Sequence, residues 1–339
     1  MQFLETWAIT QYVGRVSLCN DLADPILNGD RSALARAITL VESRRAGDAQ
    51  AAEELLGKLL PNSGKAIRIG ITGAPGVGKS TLIETLGMQL CNAGSKLAVL
   101  AVDPSSSVTG GSILGDKTRM DELSRHANAF IRPSPGGGTL GGVAGRTQEA
   151  MILCEAAGHD TVLIETIGTG QSEVAVYGMV DFFLVMLSPA AGDELQGIKR
   201  GVMELADGVL VHKADGDLLP AANRTAQQCM LAMRVLHSSE QEPPPVLVGS
   251  SITKDGIPEL WQYIEQHITQ RQQNGGFEKR RSQQAVEWLN RTVRDSLLDE
   301  LTASPNAKAE FAAAQLRVAD GQQVATAAAR DLIRRCQQR

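Results

Sequence analysis

Between residues 66 and 250, seven short and largely apolar runs alternate with longer stretches of helical periodicity. The runs are AIRIGIT (66–72), LAVLAVD (97–103), NAFIR (128–132), TVLIET (161–166), FFLVMLS (182–188), GVLVH (208–212) and PVLVGS (245–250). Most carry apolar residues without the in-out alternation of a half-exposed strand, which is the pattern of strands covered on both faces. Such runs joined by helices predict an α/β fold, a mostly parallel sheet flanked by helices. Ligands of such sheets sit beyond the C-terminal strand ends. That is where this chain places its Gly-rich and acidic residues.

The first of these ends is the most specific. Gly73, Ala74, Pro75, Gly76, Val77, Gly78, Lys79 and Ser80 match GxxxxGK[ST] completely, with Thr81 next in the helical stretch that follows. The match lies between a strand and a helix, its confirming context. The glycines let backbone N–H groups curl around phosphates at a helix N-terminus. Lys79 brings a mobile positive charge to the outer phosphates, and the Ser80 hydroxyl can ligate Mg²⁺. A Gly-rich turn that binds nothing is the competing reading, and the strand-to-helix context disfavours it.

Acidic residues recur at strand ends. Asp103 closes LAVLAVD and Glu165 closes TVLIE. Either alone is as good a helix cap as a metal ligand; two beside a phosphate loop favour Mg²⁺, held directly or through water. In ETIGTGQSE (165–173), Gly168 and Gly170 can bring a backbone N–H against a terminal phosphate, so that the loop senses its presence. Gln171 is a candidate for orienting water, at an offset from Glu165 that makes the match weak. The Gly-rich stretches 105–120 and 132–147 read either as surface loops or as switch segments ordered by nucleotide and Mg²⁺.

VLVHKADG (209–216) resembles a guanine-reading strand and loop, apolar run then Asn-Lys-x-Asp, with His212 where Asn is expected. Asp215 can accept from N1–H and N2–H₂ of guanine, a donor pair that adenine lacks, in charge-assisted bonds worth about 1.5–3 kcal/mol each. Lys213 can lay its aliphatic stem along the base. Gly249, Ser250 and Ser251, closing the last run, are placed to offer backbone N–H groups to the guanine oxygen. The usual Asn ties this loop to the phosphate loop. A neutral imidazole has one donor and a different reach, so GTP and GDP are the expected ligands, with weaker binding and unchanged base choice.

The flanks read as helical. In residues 1–65, Asp30 or Ser32 can cap a helix burying Leu34, Ala37, Ile38 and Val41. Asp48 can cap another burying Ala52, Leu55, Leu56 and Leu59, ended by Pro61. The expected domains are an N-terminal helical region (1–65), a nucleotide-binding domain (66–270) and a C-terminal helical arm (271–339). In the arm, Val286, Leu289, Val293, Leu297 and Leu301 trace one helix face. Pattern alone leaves docking on another subunit and folding back on the core equally open. The basic run Lys279–Arg281 reads as a solvated helix start.

Bulk properties exclude several classes. With 33 basic and 38 acidic residues and a net charge of −5, no general attraction to nucleic acid or an anionic membrane is implied. Five scattered cysteines without a CxxC pair fit a reduced compartment. FFLVML is too short to span a bilayer and the N-terminus has no signal pattern, so a cytoplasmic protein is expected.

Taken together these residues resemble the MeaB/ArgK family of P-loop GTPases, which includes the human methylmalonic aciduria type A protein. The stretches that carry the resemblance are GDRSALARAITLVES (29–43), GITGAPGVGKSTLIE (70–84), AVDPSSSVTGGSILGDKTRM (101–120), IRPSP with GTLGG, IETIGTGQSEVAV (164–176) and DELQGIKRGVMELAD (193–207). The similarity runs from about residue 30 through 260; beyond that it is one of helical character. The resemblance implies a GTPase chaperone that gates cofactor loading and protects an adenosylcobalamin-dependent acyl-CoA mutase of methylmalonyl-CoA type. It implies a homodimer joined by the C-terminal arm, with an adenosyltransferase as a further partner. By the same resemblance Asp103, Asp116 and Glu165 form an acidic Mg²⁺ network, and Lys199, in a third switch at 188–199, couples to the mutase. His212 for Asn and Ser251 for the usual Ala depart from the family pattern. Rival readings on the same scaffold are a metal-insertion GTPase, against which the lack of His-rich or Cys-pair segments argues, a P-loop kinase, and a scaffold that binds without turnover.

Overall fold

The computed structural model describes residues 21–43, 45–102, 120–133, 140–166, 172–189, 200–236, 242–301 and 304–337. All seven apolar runs are strands of one parallel sheet: β1 (Ile67–Gly73), β2 (Leu97–Val102), β3 (Ala129–Pro133), β4 (Thr161–Thr166), β5 (Phe182–Leu187), β6 (Gly208–Val211) and β7 (Val246–Val248), in the order β3-β2-β4-β1-β5-β6-β7. The sheet is wound outward in both directions from β1, whose C-terminal end therefore lies in the crevice where such sheets bind ligands.

Period-2 alternation divides the strand residues between two cores, one on each face. Val162 and Ile164 of β4, Phe183 and Val185 of β5, and Val209 and Val211 of β6 face one core. Leu163, Phe182, Leu184 and Leu210 face the other. The first core is closed by the helix Leu140–Ala156 together with the N-terminal helices, and the second by the helices Lys79–Asn92 and Ile257–Gln273. Covering on both faces is the reason the strand runs carry so few polar residues.

Helices Arg31–Glu42 and Ala46–Leu59 bury Leu34, Ile38, Leu55 and Leu59 in the first core. Asp30 caps the former, its Oδ1 accepting from Ser32 N at 2.7 Å and Ala33 N at 3.1 Å. The latter opens at Ala46, ahead of Asp48, whose carboxylate instead accepts from the Ser43 hydroxyl at 2.6 Å. These helices share the sheet's core, and the chain divides into compact units at a single place, 1–282 and 283–339, inside the helix Gly276–Leu301. The second unit continues that helix and adds Pro305–Ala319 and Ala325–Gln337. Val286, Leu289, Val293 and Leu297 are exposed. No helix among the described residues is long and apolar enough to cross a membrane.

The basic run at 279–281 lies at a helix start, with Lys279 exposed, but Arg280 and Arg281 are half-buried rather than solvated. Arg281 forms a two-point pair with the buried Asp181 at 2.8 and 2.7 Å, and its Nη2 also donates to Ala66 O. Arg280 lies over the Tyr177 ring and near Asp207, which also accepts from Arg271 at 2.8 Å and from Phe183 N at 2.9 Å. Asp181 further accepts from Arg68 N at 2.8 Å. Both carboxylates sit just before a strand, so the network fastens the strands' N-terminal ends to the last helices of the first unit. Removing one partner of a buried pair strands the other, at a cost of about 3–5 kcal/mol. Asp181→Ala is therefore expected to lower the unfolding free energy by about that amount in a urea titration. A loss under about 1 kcal/mol would show that Arg281 simply relaxes into water.

Candidate functional site

The phosphate loop leaves β1 at Gly73 and turns into the helix at Lys79. Gly78, the residue before the helix, has φ +103°, a left-handed conformation that favours glycine. A Cβ there would also meet the His212 ring at 2.5 Å. Lys79 is buried, its Nζ donating to Gly73 O at 2.8 Å and Ala74 O at 3.2 Å, which holds the loop curled around its own ammonium. From the opposite side Lys213 Nζ donates to Gly76 O at 2.7 Å. Two lysines thus frame a loop whose amides belong to a helix start, a concentration of positive potential suited to polyphosphate.

Beside it, Ser80 Oγ donates to Glu165 Oε1 at 2.9 Å, with both residues buried. Parallel register makes this meeting unavoidable: Ile71 of β1 pairs with Glu165 of β4, and Thr166 donates to Thr72 at 2.8 Å one residue on. A hydroxyl and a carboxylate at hydrogen-bond distance are the hard oxygen donors Mg²⁺ takes from a protein when phosphate oxygens and water complete its shell. Among the described residues no cluster of three or more His, Cys, Asp or Glu is set to hold a metal alone. The donor set therefore fits a nucleotide-borne Mg²⁺. Asp103, Asp116, Gly168, Gln171 and Lys199 lie outside the described residues.

The base loop is built where β6 and β7 end. Val211 pairs with Val248, so His212–Asp215 and Gly249–Ser251 leave the sheet side by side. Ser250 Oγ donates to the Asp215 carboxylate and accepts from Ile252 N at 3.1 Å, which fixes the direction in which that acid points. Gly249 N and Ser250 N donate to Val211 O and Asp255 O. Of the three amides expected to face a base oxygen, then, only that of Ser251 meets no acceptor among the described residues.

His212, 2% exposed, uses both ring nitrogens. Nδ1 is 2.9 Å from Val77 O in the phosphate loop and Nε2 is 2.7 Å from Ser251 Oγ. Burial holds its pKa below the ordinary histidine value, and Lys213 adds to this while the Val77 carbonyl and Asp215 oppose it. The ring is therefore neutral at pH 7. A carbonyl only accepts, so Nδ1 carries the proton and Ser251 O–H donates to Nε2. The different reach expected of His at this position is what the geometry shows: the ring meets the phosphate loop with one nitrogen and the base loop with the other. Sequence reasoning gives Ser250 and Ser251 only backbone roles. Their hydroxyls do the orienting; for Ser251 the signal in the sequence is the joint departure at 212 and 251 from the pattern the resemblance implies, and for Ser250 there is none.

Comparison with known proteins agrees with this geometry. Residues 34–306 match the family model described as "Methylmalonyl Co-A mutase-associated GTPase MeaB". A Caulobacter vibrioides protein described as a GTPase is 52% identical over 316 residues, 93% of this chain and 96% of the relative. The mouse "Methylmalonic aciduria type A homolog, mitochondrial" is 44% identical over 307 residues, 87% of this chain and 74% of the relative. A crystal structure described as that of an "LAO/AO transport system kinase" superposes with a TM-score of 0.75 at 35% identity, covering 95% of this chain and 98% of that one. With a complete phosphate loop at the switch point of a parallel sheet and these similarities over most of its length, the chain belongs to the MeaB family and is a P-loop GTPase.

Proposed function

We propose that this chain is a Mg²⁺-dependent GTPase that gates adenosylcobalamin loading and protects an adenosylcobalamin-dependent acyl-CoA mutase of methylmalonyl-CoA type. The observation that carries this is the family match over residues 34–306. The site supplies a chemistry consistent with it. Lys79 and the amides of Gly76 to Ser80 hold the phosphates, and Ser80 with Glu165 holds Mg²⁺, which when bound neutralises charge on the phosphate oxygens. Asp103 and Asp116 complete the acidic network, Gly168 senses the terminal phosphate and Gln171 orients water. Asp215 reads the base edge, the Ser251 amide meets the base oxygen and the Lys213 stem covers the base. The protein works in the cytoplasm as a homodimer, for which the exposed stripe of Val286, Leu289, Val293 and Leu297 supplies an apolar face.

The coupling segment 188–199 departs from the C-terminal end of β5, between the phosphate-loop strand β1 and the base-loop strand β6. Its first turn is anchored, because the buried Thr225 hydroxyl donates to Pro189 O at 2.9 Å. Residues 190–199, Lys199 among them, lie outside the described residues; the sequence there is polar and glycine-bearing, as suits a loop that trades contacts with phosphate for contacts with a partner. Intrinsic turnover is expected to be slow and to rise with the cognate mutase and its adenosyltransferase-supplied cofactor. Lys199→Ala is expected to lose most of the mutase-stimulated rate, measured as GTP turnover with and without purified mutase, each protein's unstimulated rate serving as its baseline. Equal stimulation of both forms would move the coupling elsewhere, and no stimulation of either would remove the chaperone reading. Transfer of phosphate from GTP to a small-molecule acceptor in the same assay would instead favour a kinase, the activity by which the similar crystal structure is described.

A further inference from the structure

The His212 ring meets the Ser251 hydroxyl with one nitrogen and the phosphate loop with the other. We propose that Ser251 is a positioning residue: acting through His212, its hydroxyl locks the base loop onto the phosphate loop, and the two side chains set guanine-nucleotide affinity as one unit.

Three observations carry this. The chain of bonds is continuous, Ser251 O–H to Nε2 at 2.7 Å and Nδ1–H to Val77 O at 2.9 Å, so a buried ring joins the loop at the end of β7 to the loop at the end of β1. The ring is fitted tightly, since Gly78 lies against Nδ1 and Cε1 with no room for a Cβ. The ring also demands its partner. A neutral imidazole in a buried place has one acceptor nitrogen to satisfy, and Ser251, 8% exposed, supplies the donor.

The bond count explains the pairing. In Asn the amide nitrogen stands as many bonds from Cα as Nδ1 does in His, so either residue can donate to the Val77 carbonyl. Only His has an edge beyond it. That edge needs a hydroxyl at 251, whereas an amide at 212 does not and leaves room for Ala. Histidine at 212 and a hydroxyl at 251 are thus one solution to the loop-to-loop tie, and Asn with Ala is another. Mixing the two solutions orphans a polar group in one direction and opens a gap in the other.

The inference rests on the guanine-nucleotide reading of the site, and its test separates the two. GDP dissociation constants are measured by calorimetry for the unsubstituted protein, Ser251→Ala, His212→Asn, the double variant and Ser251→Thr, alongside thermal melts without nucleotide. Ser251→Ala is expected to weaken GDP by about tenfold, the effect of orphaning one buried nitrogen. Ser251→Thr, which keeps the hydroxyl, is expected to recover most of that loss. His212→Asn combined with Ser251→Ala is expected to bind GDP more tightly than Ser251→Ala alone, a coupling that independent sites do not show. Additive losses, or a Thr variant as weak as the Ala variant, would overturn the proposal. Failure of the unsubstituted protein to bind GDP would overturn the nucleotide reading instead. The lock would then still be judged by the melts, where additive shifts at 212 and 251 would overturn it.

Discussion

Lys79→Ala is expected to lower GTP turnover by about 10²–10³-fold, the loss seen when one preorganised charge or donor is removed from a transition state. The side chain is buried, yet its partners are the Gly73 and Ala74 carbonyls rather than apolar core, so the fold should survive. The β1 strand keeps its pairing with β4 and β5 on either side, and neither ladder depends on the lysine. What the variant loses is the single ammonium centred in the curl of the loop. Lys213 cannot replace it, because its Nζ is committed to Gly76 O from the outer side. Steady-state phosphate release at saturating GTP and far-UV circular dichroism are the paired measurements. Undiminished turnover with an unchanged spectrum would mean that the phosphate site lies elsewhere.

Asp215→Asn is expected to cut GTP affinity by about two orders of magnitude and to turn preference toward xanthosine nucleotides. Asp215 offers two acceptors to the two donors of guanine, in bonds worth about 1.5–3 kcal/mol each. Asn replaces one acceptor with a donor, which opposes the guanine amino group and matches the xanthine carbonyl at the same place. The effect should be clean, because the acid is already aimed by Ser250, whose hydroxyl donates to it and has its own place fixed by Ile252 N. Titration of the variant with GDP and xanthosine diphosphate measures the switch. An affinity for both unchanged from the parent protein would show that the acid does not face the base.

Much of this architecture is legible in the chain itself. The central strands can be read because burial on both faces leaves their sequences with few polar residues, the half-buried edge strands β3 and β7 by their short apolar runs, and period-2 alternation then assigns each side chain to a face. The Asp30 cap can be read because capping is local. Asp48 misleads: a Ser43 hydroxyl takes its carboxylate, and the helix starts earlier than the acid suggests. The basic run at 279–281 misleads for a different reason. Its partners Asp181 and Asp207 are distant in sequence and only the strand order brings them to one end of the sheet.

The site divides in the same way. Lys79, Ser80 and Glu165 are legible from a motif and a strand end, and the β1–β4 register brings them together. His212 is visible as an odd letter, and so is Ser251. That each satisfies the other follows from the pairing of β6 with β7, a tertiary fact no local pattern contains. Reach is what the sequence leaves open: an imidazole known only to differ in reach from an amide spans two loops.

The base choice proposed for this site depends on whether the loop, with His212 in place of Asn, reads guanine. The most direct measurement is calorimetric titration of the unsubstituted protein with GDP and with ADP, side by side in Mg²⁺ buffer. Binding of GDP at least about a hundredfold tighter than ADP is predicted, since adenine offers Asp215 no pair of donors and each lost charge-assisted bond costs about 1.5–3 kcal/mol. Equal affinities for the two nucleotides would contradict it.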